Sequence, residues 1–358
     1  MTKKIIFSTG GTGGHILPAL NLMKHFFERG HKVLLVTDKR GKNFIKKYSQ
    51  FKSYVLKVDT PTNKNLFKKI FSFFIIFYSI IQSIIILKKE KPDLIFGFGG
   101  YASFPISITS KIFNLPLIIY ENNMVFGRAN KYLSRFSKKI FVAKKITTNF
   151  PEKYENKTYE VGSILDKNII NYSMEKKKNK ENFTILVLGG SQGAEIFGRT
   201  VPAVIKMLKN QGHDIKIIQQ CILNQKHTIE EFYKKNNIKS YVFEFEENIL
   251  NLISYSNLVI TRCGASTTAE LVHTFTPFIG IPLPNSIDNH QHLNGKYYQS
   301  RGCCILLEQD DFNIKNLFNL IAENIKNENK LQNIRENMKK NSNKNVYINI
   351  EDKIKEFI

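Results

Sequence analysis

The most constraining feature of this 358-residue chain is an apolar, strand-like run that ends in a glycine-rich loop, continues into a helix, and recurs in both halves. The loops are "GGTGGH" (residues 10–15) and "GFGGYASFP" (97–105) in the first half, and "GGSQGAE" (189–195) and "RCGASTTAE" (262–270) in the second. Strands that are apolar almost throughout and are separated by helices are typical of parallel sheets covered on both faces. The pattern predicts an α/β chain with two doubly wound sheets.

The length predicts two domains, since a domain usually has roughly 100–200 residues. The regular pattern lapses and charge rises in "YENKTYEVGSILDKNIINYSMEKKKNKEN" (154–182), which we interpret as the linker. We expect a first domain over residues 1–162 and a second over 163–340. The polar C-terminal segment 341–358 is expected to form a helix that packs back on the first domain.

The four cysteines follow neither a C-x-x-C pattern nor a zinc-finger spacing; they are Cys221, Cys263, Cys303 and Cys304. Neither a structural metal nor a disulfide framework is indicated, so a reducing compartment is expected. The N-terminal "MTKKIIFSTGG" has an apolar run too short for a signal peptide, which favours the cytoplasm.

A formal net charge of +23 is compatible with nucleic acid, an anionic membrane surface or phosphorylated substrates as partners. Lysine, asparagine and isoleucine are frequent throughout the chain, including solvated runs such as "MEKKKNKEN" (174–182), so much of the excess follows from general amino-acid usage. A nucleic-acid-binding protein would need lysines and aromatics along one face, or a recognised module. Neither is visible, and we expect no nucleic-acid partner.

The segment "IFSFFIIFYSIIQSIIIL" (70–87) is uncharged and reaches the roughly 18 residues of a membrane-spanning helix. A spanning helix would separate the strands on either side of it, which should belong to one sheet. We therefore expect a crossover helix with one face on the sheet and another left apolar. Lysines bracket it: Lys64, Lys68, Lys69, Lys88, Lys89 and Lys91. This arrangement favours contact with anionic lipid over the alternative, a fully covered core helix.

A glycine loop between strand and helix lets backbone N–H groups approach a ligand, and the helix N-terminus adds partial positive charge. A nicotinamide dinucleotide site is disfavoured, because G-x-G-x-x-G begun at Gly11 would need glycine where Ile16 stands. Loops of this kind at the carboxyl ends of strands in both halves suit a nucleotide-activated substrate and a second substrate.

In order and spacing, "GGTGGHILPAL", "FGGYASFP", "ENN", "LGGSQGA", "GASTTAEL" and "DNHQHLN" resemble the MurG family of glycosyltransferases over nearly the whole chain. The resemblance implies the GT-B fold, two Rossmann-like domains facing each other across a cleft. It implies inverting transfer of N-acetylglucosamine from UDP-N-acetylglucosamine to lipid I, giving lipid II and UDP, by a peripheral protein on the cytoplasmic side of the cell membrane. A related GT-B enzyme acting on another lipid acceptor, such as a diacylglycerol, is the alternative, which the N-terminal motifs disfavour.

The resemblance also implies site residues. Those matching donor positions are Ser191 and Gln192 at the diphosphate, Ala265, Ser266, Thr267, Thr268 and Glu270 at uridine, and Gln291, Asn294 and Asn123 at the sugar. Those matching positions on the acceptor side, near the reacting centre, are Thr12, Gly13, Gly14, His15, Tyr101 and Glu121; the first three are also expected to contact the donor.

The attacking sugar hydroxyl must lose a proton, and a histidine titrates near working pH, so His15 is a candidate general base. The alternatives are that His15 only donates a hydrogen bond, and that Glu121 is the base or merely orients its neighbours. Glycine-loop amides and a helix N-terminus can stabilise the departing diphosphate, so we expect metal-independent chemistry and no cofactor.

The chain departs from the family pattern at two places. Where the family has an arginine in "G-N-P-V-R", this chain reads "GSILD" and ends in Asp166, so either Arg199 or Arg262 substitutes or the donor binds more weakly. Where the family has "H-E-Q-N", this chain reads "YENN" (120–123) and keeps Glu121 and Asn123.

Overall fold

The computed structural model describes residues 1–11, 13–45, 50–58, 66–145, 148–173, 182–190 and 194–358, with the side chains of 43, 45 and 66–71 left out. The chain divides into two compact units. The first comprises Met1–Asp166 and Asn345–Ile358, and the second comprises Lys167–Lys344.

The first unit is built on a parallel sheet that has seven strands in the described residues, in the order β3-β2-β1-β4-β5-β6-β7. The strands are β1 (Lys4–Ser8), β2 (Lys32–Thr37), β3 (Lys52–Val55), β4 (Leu94–Gly97), β5 (Leu117–Glu121), β6 (Lys139–Val142) and β7 (Thr158–Glu160). The helices are α1 (Gly13–Glu28), α2 (Lys42–Ile45), α3 (Leu66–Glu90), α4 (Ser103–Thr109), α5 (Arg128–Leu133) and, from the C-terminus, α14 (Val346–Ile354).

The second unit repeats this plan with six parallel strands, in the order β10-β9-β8-β11-β12-β13. They are β8 (Phe183–Leu188), β9 (Ile215–Gln220), β10 (Lys239–Phe243), β11 (Leu258–Thr261), β12 (Phe278–Gly280) and β13 (Ile305–Leu306). The helices are α6 (Lys167–Ile170), α7 (Glu195–Asn210), α8 (Leu223–Lys235), α9 (Ile249–Tyr255), α10 (Ala265–His273), α11 (His290–Gln299), α12 (Ile314–Lys326) and α13 (Glu328–Asn341).

The central strands of both sheets are apolar because helices cover them on both faces. β4, β5 and β11 are buried along their whole length. Strand order reverses between β1 and β4 in the first sheet and between β8 and β11 in the second. In open α/β sheets, ligands bind outside the carboxyl ends of the strands at such a reversal. All four glycine-rich loops follow these four strands.

Helix α3 turns its small polar residues inward and its large apolar residues outward. Ser72, Ser79 and Ser83 are buried, and the Ser79 and Ser83 hydroxyls donate to the carbonyls of Ile75 (2.8 Å) and Ser79 (2.7 Å). The exposed residues include Phe73, Phe74, Phe77, Tyr78, Ile81 and Ile85, here called the α3 patch. This helix is the one stretch of the described chain long and apolar enough to cross a membrane. It connects β3 and β4 of one sheet, so it stays beside that sheet.

Helix α14 packs against the first unit through polar contacts. Glu351 accepts from Arg29 Nε at 2.9 Å and lies 2.9 Å from His25 Nε2, and the Tyr347 ring stacks on His25 with centroids 4.4 Å apart. The Tyr347 hydroxyl donates to the carbonyl of Leu165 at 2.7 Å. The C-terminus thereby braces the segment through which the chain leaves this unit.

Candidate active site

The two glycine loops of the first unit touch each other because β1 and β4 are paired neighbours. The Gly10 N–H donates to the carbonyl of Gly99 at 3.1 Å, and a Cβ on Gly10 would lie 3.0 Å from Gly100 Cα. Gly99 and Gly100 have φ values of +76° and +75°. Such conformations favour glycine, and the close backbone approach requires it. Gly10, Gly99 and Gly100 therefore allow these two loops to pack tightly against each other.

His15 lies in the first turn of α1, half-buried beside this junction. A Cβ on Gly99 would lie 3.4 Å from His15 Cε1 and 3.5 Å from Nδ1, and a Cβ on Gly100 would lie 3.6 Å from Cδ2. The imidazole thus lies along the second loop, in space that side chains there would occupy. Gly14 faces open space: apart from its chain neighbours and its own helix backbone, no atom of the described residues lies within 4 Å of where its Cβ would be. Tyr101 follows in the same loop and is half-buried.

Glu121, the last residue of β5, is 2% exposed and has its carboxylate bound by its own loop. Oε1 accepts from the N–H and the side-chain amide of Asn123, at 3.1 and 3.0 Å. Oε2 accepts from the N–H of Gly127 and the side-chain amide of Asn130, both at 3.0 Å. A carboxylate offers about four acceptor sites, and four donors occupy them here. The arrangement suits a residue that organises the loop from 122 to 130.

Asn130 belongs to this site, although no motif in the sequence singled it out. It is 1% exposed, and its amide also donates to the carbonyl of Tyr120 at 3.1 Å. The same Nδ2 would lie 3.2 Å from a Cβ on Gly99. Asn130 therefore connects the end of β5 with the second glycine loop.

In the second unit, the loops after β8 and β11 adjoin across the paired strands. Gly190 has a φ of +81°, and the Gly189 N–H donates to Gln220 Oε1 at 3.0 Å. Helices α7 and α10 begin here, and in the described residues their N-cap positions, Ala194 and Gly264, supply no side-chain hydrogen bond to the first N–H groups. Uncapped amides at a helix N-terminus form a natural anion site. Ser191 and Gln192, like Thr12 in the first unit, lie outside the described residues.

The residues expected over uridine differ in exposure. Ala265, Ser266 and Thr268 are buried, and the Thr268 hydroxyl lies 3.0 Å from the Gly264 carbonyl, to which it donates. Thr267 and Glu270 are partly exposed. Residues three apart share one face of a helix, so these two form the accessible side of α10 at this end.

Gln291 and Asn294 lie on α11, and both are bound to the protein itself. Gln291 Oε1 accepts from the N–H of Leu283 at 3.0 Å, so the side-chain amide has a fixed orientation. Asn294 is 1% exposed, and its Nδ2 donates to the carbonyl of Cys263 at 3.1 Å. Asn294 therefore holds the loop that precedes α10.

Of the two candidate cations, Arg262 lies in this loop and Arg199 does not. Arg262 is buried, and its guanidinium donates to the carbonyls of Ile281 (3.2 Å) and Pro282 (3.1 Å) and to Gln309 Oε1 (2.7 Å). Burial lowers the pKa of Arg262. Arg199 is exposed on α7 and pairs with Glu195.

In the described part of the chain, no three His, Cys, Asp or Glu side chains are grouped closely enough to hold a metal ion.

Models of known protein families match both halves of the chain. The model of the glycosyltransferase family 28 N-terminal domain matches residues 5–142, and that of the family's C-terminal domain matches residues 184–350. The chain belongs to glycosyltransferase family 28. This result confirms the resemblance seen in the motifs. The protein is a glycosyltransferase of the GT-B class with two Rossmann-like domains.

Curated relatives align with almost the whole of this chain. The UDP-N-acetylglucosamine--N-acetylmuramyl-(pentapeptide) pyrophosphoryl-undecaprenol N-acetylglucosamine transferase of Pelagibacter ubique is 37% identical, over 92% of this chain and 91% of its own. The enzyme of the same name from a Wolbachia of Brugia malayi is 35% identical, over 99% and 97%. The crystal structure of Acinetobacter baumannii MurG superposes with a TM-score of 0.79 at 24% identity, over 99% of this chain and all of that one.

Proposed function

We propose that this protein transfers N-acetylglucosamine from UDP-N-acetylglucosamine to lipid I, the undecaprenyl-pyrophosphoryl-MurNAc-pentapeptide, forming lipid II and UDP in peptidoglycan synthesis. The observation that carries this proposal is the 35–37% identity, over more than nine-tenths of the chain, to transferases named for that reaction. The glycine loops at both strand-order reversals support it, since each unit offers amides to one substrate.

In the proposed reaction, a hydroxyl oxygen of the acceptor sugar attacks the anomeric carbon of N-acetylglucosamine. The new C–O bond forms as the bond from that carbon to the diphosphate oxygen breaks, and UDP leaves with the electron pair. A single displacement inverts the anomeric centre. The hydroxyl proton passes to His15, whose place beside the open space at Gly14 supports the role of general base.

We assign Glu121 to positioning rather than proton transfer, because protonating it would disrupt at least one of its four hydrogen bonds. It holds Asn123 and Asn130, and Asn130 lies beside Gly99 of the second glycine loop. Asn123 and Tyr101 are proposed to contact the donor sugar and the acceptor, respectively.

For the donor, the proposal relies on the second unit. The uncapped starts of α7 and α10 and the loop residues Ser191 and Gln192 would receive the diphosphate, where preorganised amides stabilise developing charge. Thr267 and Glu270 supply the accessible face for uridine and ribose, and Gln291 presents an oriented amide to the sugar. Arg262 contributes a fixed positive charge in the same loop.

The α3 patch is proposed to contact the cytoplasmic surface of the membrane that holds the lipid acceptor. Six large apolar side chains on one helix face, followed by the exposed Lys88, Lys89 and Lys91, suit insertion among headgroups of anionic lipid. The protein would then be a peripheral membrane protein.

The proposal is tested by following UDP release from UDP-N-acetylglucosamine, UDP-glucose and UDP-N-acetylgalactosamine with and without a lipid I analogue. Release should require the first donor and the acceptor together. Release with a diacylglycerol acceptor instead would favour the alternative lipid glycosyltransferase. The His15→Ala variant should bind UDP normally and lose at least about 100-fold in kcat, as expected for a general base.

A further inference from the structure

Tyr120, beside Glu121 at the end of β5, is a buried tyrosine to which the proposed mechanism gives no role. It is 1% exposed, and its phenolic oxygen lies within hydrogen-bond distance of three groups. These are Asn122 Oδ1 at 3.0 Å, the carbonyl of Gly162 at 3.2 Å and the N–H of Ile164 at 3.2 Å. The oxygen accepts from Ile164, and its single proton serves the two oxygens. Tyr120 thus ties β5 to residues 162–164.

Asn122 continues this connection to the first glycine loop. It is 4% exposed, and its Nδ2 donates to the carbonyl of Gly14 at 3.3 Å. In a regular helix that carbonyl would accept from the residue four positions on, but Pro18 stands there and has no N–H. The amide of Asn122 supplies the missing donor. The residue that follows Gly14 is His15.

Residues 161–166 are where the chain leaves the first unit, since the boundary falls between Asp166 and Lys167. Side chains hold three of the carbonyls in this segment. Asn349 donates to Val161 at 3.2 Å, Tyr120 serves Gly162, and Tyr347 donates to Leu165 at 2.7 Å. Gly162 has a φ of +104°, which favours glycine. The exit segment is therefore fixed by named side chains rather than by a strand or helix.

We propose that Tyr120 and Asn122 are positioning residues that link the exit segment to the start of α1, and that this link sets the position of His15. The inference rests on the proposed function for its effect on turnover, but the link itself does not. Buried hydrogen-bonding groups are costly to leave unpaired. Moving residues 162–164 relative to Gly14 would break a hydrogen bond of Tyr120 or Asn122, so these bonds resist such a movement.

The test compares Tyr120→Phe with Tyr172→Phe. Tyr120→Phe keeps the buried ring and removes only the hydroxyl. Tyr172 is also buried, and its hydroxyl has no hydrogen-bond partner among the described residues, so Tyr172→Phe is a matched control. Amide hydrogen exchange over residues 13–20 measures the link, and steady-state transfer measures its consequence.

Tyr120→Phe should accelerate exchange at Leu17 and Ala19, which belong to the first turns of α1, whereas Tyr172→Phe should not. It should lower kcat about tenfold while the KM for UDP-N-acetylglucosamine stays within about twofold, since small misplacements of a catalytic group cost rate rather than affinity. Asn122→Ala should act the same way, and the double variant should be no slower than the slower single variant.

Unchanged exchange in both Tyr120→Phe and Asn122→Ala would overturn the link. Faster exchange with wild-type kcat, or losses that multiply in the double variant, would overturn the positioning role. If the wild-type protein itself transfers no sugar, the proposed function fails, and the exchange comparison still decides whether the link exists.

Discussion

Gly10 and Gly100 approach so closely that a Cβ on Gly100 would lie 2.9 Å from Gly10 Cα. This contact joins the loops after β1 and β4, whose strands are neighbours in the sheet, and His15 lies against it. The two glycines of the first motif therefore serve different purposes. Gly10 allows the two loops to pack closely, whereas Gly14 leaves open space beside the start of α1.

Two alanine substitutions separate these purposes. Gly100→Ala should lower the free energy of unfolding by about 1–3 kcal/mol, because Gly100 has φ +75° and no room for a methyl group.

Gly14→Ala should leave stability unchanged or raise it by up to about 1 kcal/mol, because alanine favours a helix. It should nevertheless lower transfer, since its methyl group would enter the space proposed for substrate. Urea denaturation and steady-state kinetics measure both; full activity in Gly14→Ala would place the substrate elsewhere.

Glu121→Gln should be destabilising and inactive although it is nearly isosteric. One oxygen becomes an NH₂ group facing N–H donors, so at least one hydrogen bond is lost and one buried donor is unpaired, at a cost of about 1–3 kcal/mol. The exposed Glu230→Gln is the matched control. Thermal unfolding and kcat are the measurements, and a stable variant with normal kcat would remove Glu121 from the site's organisation.

Stability should fall at alkaline pH partly through Cys263. Burial raises the pKa of this thiol to about 12, whereas an unfolded cysteine titrates near about 8.5. Because the folded-state pKa is the higher one, the contribution to stability is complete below about pH 8.5 and decreases as pH rises, by at most about 1.4 kcal/mol per unit. Urea denaturation from pH 7.5 to 10 should therefore give a shallower decline for Cys263→Ala than for wild type. Parallel declines would contradict this assignment.

The α3 patch should be required for membrane binding but not for folding. Replacing the exposed Phe73 and Phe77 together by glutamate should abolish flotation with anionic vesicles and leave the unfolding temperature within a few degrees of wild type. Tyr255→Glu, an exposed aromatic in the second unit, should still float. Loss of flotation in Tyr255→Glu as well, or retention in the double variant, would count against this surface.

The fold class could be predicted from the sequence because long apolar strands and glycine loops are strong local signals. The same reasoning missed β7 and β13, which have three and two residues and lack a continuous apolar run. It predicted α3 as a crossover helix with one covered face, but not that Ser72, Ser79 and Ser83 would be among the buried residues. The hydroxyls of Ser79 and Ser83 donate to carbonyls of their own helix, which satisfies them in this buried position.

The site was less predictable because its residues act through contacts distant in sequence. The motifs drew attention to Glu121, yet two of its four hydrogen bonds come from Gly127 and Asn130, which lie outside those motifs. Tyr120 and Asn122 stood out only as departures from a familiar pattern, and their bonds reach to residues 162–164 and to Gly14. No local periodicity encodes such pairings.

The most direct measurement is NMR of the product formed from UDP-N-acetylglucosamine and a lipid I analogue. Our account predicts one disaccharide, formed together with UDP, whose new linkage has the β configuration, because a single displacement assisted by His15 inverts the α-linked donor. An α-linkage, or free N-acetylglucosamine with no disaccharide, would contradict it.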